Sequence, residues 1–283
     1  MHRVVRRGSY FRADDSRWIR RFQCRICNRS FSSARLLECF RQKKRKINGE
    51  IFKLLCSGMS LRRIALVLGV NRKTVVRKFL YLASYARRMQ QAWRETLPPE
   101  QILQLMFDEM ESFERSKCLP LSLPLVVLPG ERKILAIGVC SMPAKGLLAR
   151  LSRAKYGPRP NHRPQCVDAL FTQIQPLVSP SVEFTTDENP HYPAWIKRHF
   201  PHATHRRVKG RRGCVVGQGE LKKMGNDPLF SLNHTAAMIR ANVNRMFRRT
   251  WCTTKRPDRL QAHLEIYAHY HNTVLTKPWP AVA

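Results

Sequence analysis

The sequence predicts an α/β protein with smaller, basic modules ahead of the main fold. Three observations support this prediction. The chain has 283 residues, of which 43% are hydrophobic, which is enough for one good core and a smaller unit. Pro98 and Pro99 separate a helical pattern from a strand-rich one. Apolar runs then alternate with helical segments. We therefore expect three domains, at residues 1–45, 46–97 and 98–283.

The order of elements after Pro99 predicts the fold in more detail. The pattern places strands at 102–110, 121–128 and 133–141, a helix at 166–177, a strand at 182–186, a helix at 192–200, a strand at 203–208, and helices at 232–249 and 258–271. Three strands, then a helix, a strand, a helix, a strand and a helix is the order of a ribonuclease-H-like fold. In that fold the first and fourth strands lie side by side, so that carboxylates at their ends converge.

Two aspartates stand where such a convergence is expected. Asp108 and Asp187 each follow an apolar run that predicts a buried strand, although the chain has 52 Lys and Arg against 19 Asp and Glu. Asp108 is also followed closely by Glu109, Glu111 and Glu114. Paired carboxylates suit Mg²⁺ or Mn²⁺, and two such ions can hold the attacking and leaving oxygens of a phosphodiester. The alternative for Asp187 is a turn residue ahead of Asn189-Pro190.

The charge distribution favours a nucleic-acid partner. The formal net charge is +33, and residues 1–99 hold 25 Lys and Arg against 5 Asp and Glu, a net +20. Such a density suits double-stranded DNA, because binding releases the counterions condensed on a polyanion. No apolar run approaches the roughly 18 residues of a membrane span, and the sequence opens without a leader pattern. Nine cysteines without a secretory signal suit a reducing compartment. We expect a cytoplasmic protein without a membrane partner.

A Cys-x-x-Cys motif near the N-terminus indicates half of a zinc site. Cys24 and Cys27 can bring two thiolates onto one Zn²⁺, whereas a tetrahedral ion needs four ligands and the sequence has no second motif of this kind. Two buried thiols in a tight turn explain the motif equally well. Tyr10, Phe11 and Trp18 are aromatic residues that lie among arginines near this motif. They suggest short strands of a β-ribbon that contacts DNA.

Residues 60–78 have a helix-turn-helix pattern. Ser60 and Asn71 are suited to cap two short helices, and Gly69 permits the turn between them. The start of the second helix then carries the residues that meet base edges or phosphates in a major groove. An ordinary helical pair is the alternative. The predicted DNA-contacting residues are Arg62, Arg63, Arg72, Lys73, Thr74, Arg77 and Lys78. A further DNA-contacting loop is predicted at 210–219, where four glycines accompany Arg211 and Arg212.

Three stretches give the chain a family resemblance that covers nearly its whole length. They are FDEMESF at 107–113, TDENPHY at 186–192 and NRMFRRTWCTTK at 244–255. With them the chain resembles bacterial insertion-sequence transposases of the IS-one and related DDE groups. The resemblance implies a zinc ribbon and a helix-turn-helix that read the terminal repeats, and a homo-oligomer acting on DNA. It also implies metal-dependent nicking at the element ends, followed by attack of the freed 3′-hydroxyl on target DNA.

The chain departs from the family pattern at two places. The family has a Cys-x-x-Cys upstream of the one at Cys24 and Cys27, which this sequence lacks. An ungapped alignment of the tail puts the family's third catalytic acid at Asn233, which can serve as a neutral metal ligand or as a helix N-cap. Asp227 is the rival third ligand, with a turn as its own alternative. These departures leave a second function open, namely a non-catalytic DNA-binding relic or regulator.

Overall fold

The computed structural model of the protein describes residues 3–209, 227–247 and 250–276. The predicted loop at 210–219 lies outside these residues. The N-terminal part is a three-stranded antiparallel sheet in the order β1-β2-β3, in which Val4 pairs with Cys24 and Phe22 with Phe31. Its strands are β1 (Val4–Arg12), β2 (Arg17–Cys24) and β3 (Ser30–Ser32).

Three helices follow the small sheet, namely α1 (Asn48–Leu55), α2 (Leu61–Val67) and α3 (Arg72–Glu95). Both predicted caps are confirmed. Ser60 Oγ accepts from the backbone N–H of Arg63 at 3.3 Å, and Asn71 Oδ1 accepts from that of Lys73 at 2.8 Å. Gly69 has a φ of +59° in the turn between α2 and α3, a conformation that costs glycine little.

The remainder is built on a six-stranded mixed sheet, which confirms the predicted α/β class. Its order is β6-β5-β4-β8-β9, and β7 pairs with β5. The first three strands are antiparallel neighbours, whereas β4, β8 and β9 run parallel. The first and fourth predicted strands are therefore adjacent. The strands are β4 (Ile102–Phe113), β5 (Pro120–Val127), β6 (Ile134–Ile137), β7 (Cys140–Ser141), β8 (Val178–Thr186) and β9 (Thr204–Arg207).

Helices cover both faces of this sheet. They are α4 (Leu147–Tyr156), α5 (Arg163–Ile174), α6 (Tyr192–His199), α7 (Phe230–Asn242) and α8 (Pro257–Tyr270). Several predicted bounds differ from the structure, since β4 extends to Phe113 and β8 begins at Val178, and two further elements differ more. The strand predicted at 133–141 is split, because α5 packs so closely that a Cβ on Gly138 would lie 2.6 Å from Cys166 Sγ. The helix predicted at 232–249 begins at Phe230 and ends at Asn242.

One hydrophobic core joins the N-terminal helices to the sheet. Ile51, Phe79, Met110, Leu232 and Tyr267 are all buried in it, so that it spans α1, α3, β4, α7 and α8. A second core on the opposite face contains Phe107 of β4 with residues of α5 and α6. The predicted domain boundary at residues 97 and 98 thus marks a change of secondary structure, while the first core is continuous across it.

Candidate active site and nucleic-acid interface

Asp108 and Asp187 lie side by side on neighbouring parallel strands. Phe107 of β4 pairs with Thr186, the last residue of β8, and each aspartate is the next residue along the chain. Both side chains are half-buried. Strands β4 and β5 continue beyond this point, since Asp108 also pairs with Leu125. The fold therefore brings together the two carboxylates that the sequence singled out.

The carboxylate of Asp108 is held by α6. The hydroxyl of Tyr192 donates to Asp108 Oδ1 at 3.0 Å, and the backbone N–H of Glu109 donates to the same oxygen at 2.6 Å. Tyr192 is buried, and its ring packs edge-on against Phe107 with 4.8 Å between centroids. Burial is the main cause that raises the pKa of Tyr192, and the negative charge of Asp108 is the second. The hydroxyl therefore stays neutral and can donate a hydrogen bond.

The pKa of the Asp108 carboxyl group is unusually high for an aspartate. Burial raises its pKa from 3.8 to about 6, and the negative charge of Asp187 acts in the same direction against the hydrogen bonds from Glu109 and Tyr192. The two aspartates are thus close enough to repel each other. A cation between them relieves that repulsion and favours the ionised form of Asp108.

The other acidic residues near Asp108 are neutralised by basic partners. Glu109 forms a buried ion pair with Arg163, whose Nε donates to Oε1 at 2.9 Å, and it also accepts from Ser122 Oγ at 2.6 Å. Glu111 faces Lys145 at 3.4 Å. Glu114 is likewise paired with Arg159, at 3.4 Å. By contrast, neither Asp108 nor Asp187 has an ion-pair partner in the part of the chain that the structure describes.

These two carboxylates fit a divalent cation. The Oδ1 atom of Asp187 accepts from the backbone N–H of Asn189 at 3.0 Å, just as Oδ1 of Asp108 is taken by Tyr192. The Oδ2 atom of each aspartate accepts no hydrogen bond from the described residues. Hard cations prefer such oxygens. No group of three or more His, Cys, Asp or Glu side chains placed to hold a metal occurs within residues 3–209, 227–247 and 250–276.

The two candidate third ligands are hydrogen-bonded to each other. Asn233 Nδ2 donates to Asp227 Oδ2 at 2.9 Å, and both residues are exposed. The N-cap reading of Asn233 was wrong, because α7 begins at Phe230 and Asn233 lies inside its first turn. The turn reading of Asp227 is confirmed, since its Oδ1 accepts from the backbone N–H of Leu229 at 3.0 Å.

Helix α7 lies on the sheet face toward which Asp108 points. Met110 is two residues beyond Asp108 on β4 and therefore shares its face. It is buried in the same core as Leu232 of α7. The helix that carries Asn233 is thus on the side of the sheet where a third ligand is needed, whereas the amide itself is turned to Asp227.

Cys24 and Cys27 lie on one tight turn after β2. The backbone N–H of Cys24 donates to Arg29 O at 3.0 Å, and Asn28 has a φ of +53°. Backbone N–H groups of Cys27 and Ile26, together with the Cys27 thiol, lower the pKa of Cys24, which favours the thiolate that a metal requires. The turn offers half of a tetrahedral site.

Most of the predicted DNA-contacting residues are exposed around the start of α2 and α3. Arg62, Arg63, Arg72, Lys73 and Arg77 are exposed, and Thr74 is half-buried.

Lys78 has to be removed from this set. Lys78 is only 5% exposed, and its Nζ donates to Lys43 O at 2.8 Å and to Gln42 Oε1 at 3.0 Å. Burial lowers its pKa. The sequence placed Lys78 among the DNA-contacting residues of the helix-turn-helix pattern, but Gln42 and Lys43 cover it in the fold.

Two site residues were missed from the sequence, namely Tyr192 as the partner of Asp108 and Arg163 as the partner of Glu109. Both begin helices that pack on the sheet. Each helix also contains tryptophan or phenylalanine in the second core, and Arg163 lies 5.3 Å from the centroid of Trp195. The sequence carries no signal for either contact, because only the packing of α5 and α6 on the sheet brings these residues to their partners.

None of the helices in the described ranges is both long enough and apolar enough to cross a bilayer. No protein-family model matches this chain, and no curated protein sequence matches it.

Proposed function

We propose that the protein is a DNA transposase, which binds the ends of an insertion sequence and carries out divalent-metal-dependent cleavage and strand transfer. The observation that carries this proposal is the pair formed by Asp108 and Asp187 on adjacent parallel strands. In a chain with a formal net charge of +33, these two carboxylates have no basic partner within the described residues. A site that keeps two acids unpaired in so basic a protein is suited to a cation and a phosphodiester.

The sheet topology supports a ribonuclease-H-like catalytic domain. Three antiparallel strands are followed by two parallel ones, and the chain returns from β6 through helices to place β8 beside β4. This is the arrangement that the resemblance to DDE transposases implies. In this arrangement Asp187 lies at the carboxyl end of β8, and Asp108 lies beside it on β4.

The N-terminal elements support DNA binding. Helices α2 and α3 meet at Gly69 as a helix-turn-helix does, and α3 begins with exposed Arg72 and Lys73. The small sheet carries exposed Phe11 and Trp18 in edge-to-face contact, with 5.6 Å between centroids. Arginines of β1 and β2 surround this pair. We propose that the sheet is a partial zinc ribbon that presses on the DNA beside the helix pair.

In this proposal Asp108 and Asp187 hold Mg²⁺ or Mn²⁺. When bound, the ion activates the attacking oxygen and neutralises charge that develops on the phosphate. Tyr192 fixes the orientation of the Asp108 carboxylate through its hydrogen bond, and the ion pair of Glu109 with Arg163 anchors the neighbouring backbone. Asn233 is a weaker third contact, available once its amide leaves Asp227.

The test is a cleavage assay with Mg²⁺ or Mn²⁺ on duplexes that carry the terminal sequences flanking the gene. Asp108→Asn and Asp187→Asn should each abolish nicking and joining while duplex binding persists. Glu188→Gln is the matched control, because it removes an exposed carboxylate next to Asp187. Cleavage that survives both aspartate substitutions would reject the assignment.

The second candidate is a DNA-binding relic or regulator without catalysis. Asn233 at the position of the family's third acid favours it, as does the hydrogen bond that holds Asn233 to Asp227. Duplex binding with affinity that falls about tenfold or more between 50 and 200 mM salt is expected of both candidates. The relic is the better account if the wild type binds such duplexes and neither nicks nor joins them with either metal.

A further inference from the structure

A large cavity separates the helix-turn-helix from the C-terminal part of the chain. Its volume is about 1080 Å³, slightly above the roughly 300–1,000 Å³ that is usual for ligand pockets. One wall is formed by residues 58–63 and Arg72, at the starts of α2 and α3. The other wall is formed by the end of α7 and by residues that follow it, including Phe247 and Trp251. We call it the α2–α7 cavity.

The described lining of the α2–α7 cavity is strongly basic and contains no acidic residue. Its basic residues are Arg62, Arg63, Arg72, Arg240, Arg245 and Lys255. Several cations facing one concave space repel each other, and a bound anion relieves that repulsion. The lining therefore selects for a polyanion or a phosphate group.

Arg245 is the strongest individual indication of an anion. Its guanidinium lies 5.9 Å from the centroid of Phe79, and its Nη1 is 3.4 Å from Thr254 Oγ1. It forms no ion pair with any carboxylate of the described residues. Burial lowers the pKa of Arg245, and the positive charge of Arg259 adds to that effect. A half-buried cation without an ion-pair partner is costly, and a phosphate in the cavity supplies one.

The inner end of the cavity offers a hydrogen-bond acceptor. His263 is buried, and its Nε2 is 2.9 Å from Leu55 O, which can only accept, so Nε2 carries the proton. Its Nδ1 is then an acceptor, and no described group donates to it. Burial is the main cause that lowers the pKa of His263 to about 4, and the positive charge of Arg245 is the second. The ring is therefore neutral at pH 7. A ligand with N–H groups as well as phosphates suits this lining.

Aromatic side chains complete the lining. Trp251 is 78% exposed and Phe247 is 37% exposed, although large apolar side chains are usually covered. Bases of single strands stack on such rings, which contributes roughly 1–3 kcal/mol per base. In a duplex the bases are already stacked on each other, so only an unpaired base can use Trp251 in this way.

We propose that the α2–α7 cavity binds an unpaired nucleotide at a DNA end, with phosphates on Arg72, Arg245 and Lys255 and a base stacked on Trp251. The inference rests on the proposed function and extends it, because it assigns the C-terminal segment to DNA binding and the ligand to a single-stranded end. The helix pair and the C-terminal segment then hold the same DNA from two sides.

The test compares two duplexes of the same sequence, one blunt and one with a short 3′ single-stranded overhang, by fluorescence anisotropy with the full chain. The wild type should bind the overhang duplex about tenfold or more tightly, as expected from the stacking of one base. Trp251→Ala should erase this preference, and Trp251→Phe should retain most of it. Tyr156→Ala is the matched control, since Tyr156 is an aromatic residue that is 40% exposed on α4 and does not line the cavity, and the preference should persist.

A second measurement does not depend on the variants folding. An oligonucleotide with 5-iodouracil in the overhang should form a photocrosslink to the peptide that contains Trp251. Equal binding of the two duplexes by the wild type, an unchanged preference in Trp251→Ala, or crosslinks confined to other peptides would overturn the inference. In each of these cases the proposed function stands if the blunt duplex is still bound and cleaved. Failure to bind either duplex rejects both.

Discussion

The hydroxyl of Tyr192 donates to Asp108 Oδ1 at 3.0 Å and links the first turn of α6 to the central strand of the sheet. The same hydroxyl accepts from the backbone N–H of Glu109 at 3.1 Å, so it is held in place from both sides. This contact fixes one oxygen of Asp108 and leaves Oδ2 for a cation. It explains why a buried tyrosine lies beside a pair of carboxylates.

Tyr192→Phe should weaken divalent-metal binding while preserving the fold. The ring still packs against Phe107, but Asp108 loses a donor that orients its carboxylate. Loss of a hydrogen bond to a metal ligand typically costs 10–100-fold in affinity or activity, and we expect a loss in this range for Mg²⁺-dependent cleavage. The pKa of Asp108 should also rise further, because Tyr192 lowers it. Tyr270→Phe is the control, and an equal loss there would contradict the assignment.

Asp108 should make the metal-free protein less stable as the pH rises. Its folded pKa of about 6 exceeds the ordinary value of 3.8, so its contribution to stability is fully present below 3.8 and is lost as the pH rises through 6. The full shift corresponds to roughly 3 kcal/mol, and solvent screening of this half-buried group reduces it to about 1–2 kcal/mol. Asp108→Asn should therefore raise the free energy of unfolding in EDTA, and more at pH 8 than at pH 5.

Added Mg²⁺ supplies the complementary measurement. It should stabilise the wild type more at pH 8 than at pH 5, because binding requires Asp108 to be ionised. It should stabilise Asp108→Asn little at either pH. Denaturant titrations with and without Mg²⁺ measure both effects. Equal stabilisation of the wild type and the variant would mean that the ion binds elsewhere.

The sheet was predictable where burial leaves a clear pattern in the sequence. Strand β5 is buried along its whole length, and β4 and β8 carry the apolar runs that precede Asp108 and Asp187. The division between β6 and β7 was not predictable, because it depends on how closely Cys166 of α5 approaches Gly138. Helix α4 was missed because its leucines are exposed among arginines, so no buried face marks it.

The site was predictable at the aspartates and not around them. Asp108 and Asp187 each follow an apolar run, and the adjacency of β4 and β8 follows from the order of elements. Tyr192 is 84 residues from Asp108 in the sequence, and only the packing of α6 brings them together. Lys78 shows the opposite error. Its place in the helix-turn-helix pattern predicted a DNA contact, but Gln42 and Lys43 cover it in the fold.

Gly58 should be the most sensitive glycine at the junction of the N-terminal helices with α7. Its φ is +72°, its N–H donates to Asn242 O at 2.7 Å, and an added Cβ would lie 2.9 Å from Phe247 Cζ. Gly58→Ala should cost about 1–2 kcal/mol for the backbone conformation, with a further cost for displacing the ring. Gly69→Ala is the matched control, because its φ is +59° and nothing lies within 4 Å of its Cβ position. Equal losses in thermal or denaturant unfolding would show that the contact with Phe247 is unimportant.

The chain should bind Zn²⁺ weakly as a monomer. Cys24 and Cys27 supply two ligands on one turn, and a tetrahedral ion is then left half open. Sharing of one ion between two chains is the expected way to complete the site. Metal analysis combined with light scattering should find substoichiometric zinc, with any tight zinc confined to dimers, and Cys24→Ser should remove it. Tight stoichiometric zinc in the monomer would contradict this expectation.

Asn233 and Asp227 should be tested together, because their side chains are hydrogen-bonded at 2.9 Å. Asn233→Glu removes the Nδ2 donor and places a second carboxylate beside Asp227. The two negative charges repel each other, which should turn the new side chain away from Asp227. If it reaches the cation, cleavage and the affinity for Mg²⁺ should increase. Asp227→Ala frees the Asn233 amide and removes the acceptor for the Leu229 N–H, which should cost about 1 kcal/mol of stability.

The combination of these variants separates the possible roles. If Asn233 is the third contact, Asp227→Ala should leave cleavage intact or raise it, whereas Asn233→Ala should lower it. If Asp227 is the ligand, Asp227→Ala should abolish cleavage and both Asn233 variants should leave it unchanged. Asn233→Asp is the control for charge, since it adds a carboxylate on a shorter side chain than glutamate. If cleavage increases in Asn233→Glu and not in Asn233→Asp, the length of the side chain decides whether it contacts the cation from α7. This is expected of an exposed residue inside the first turn of α7.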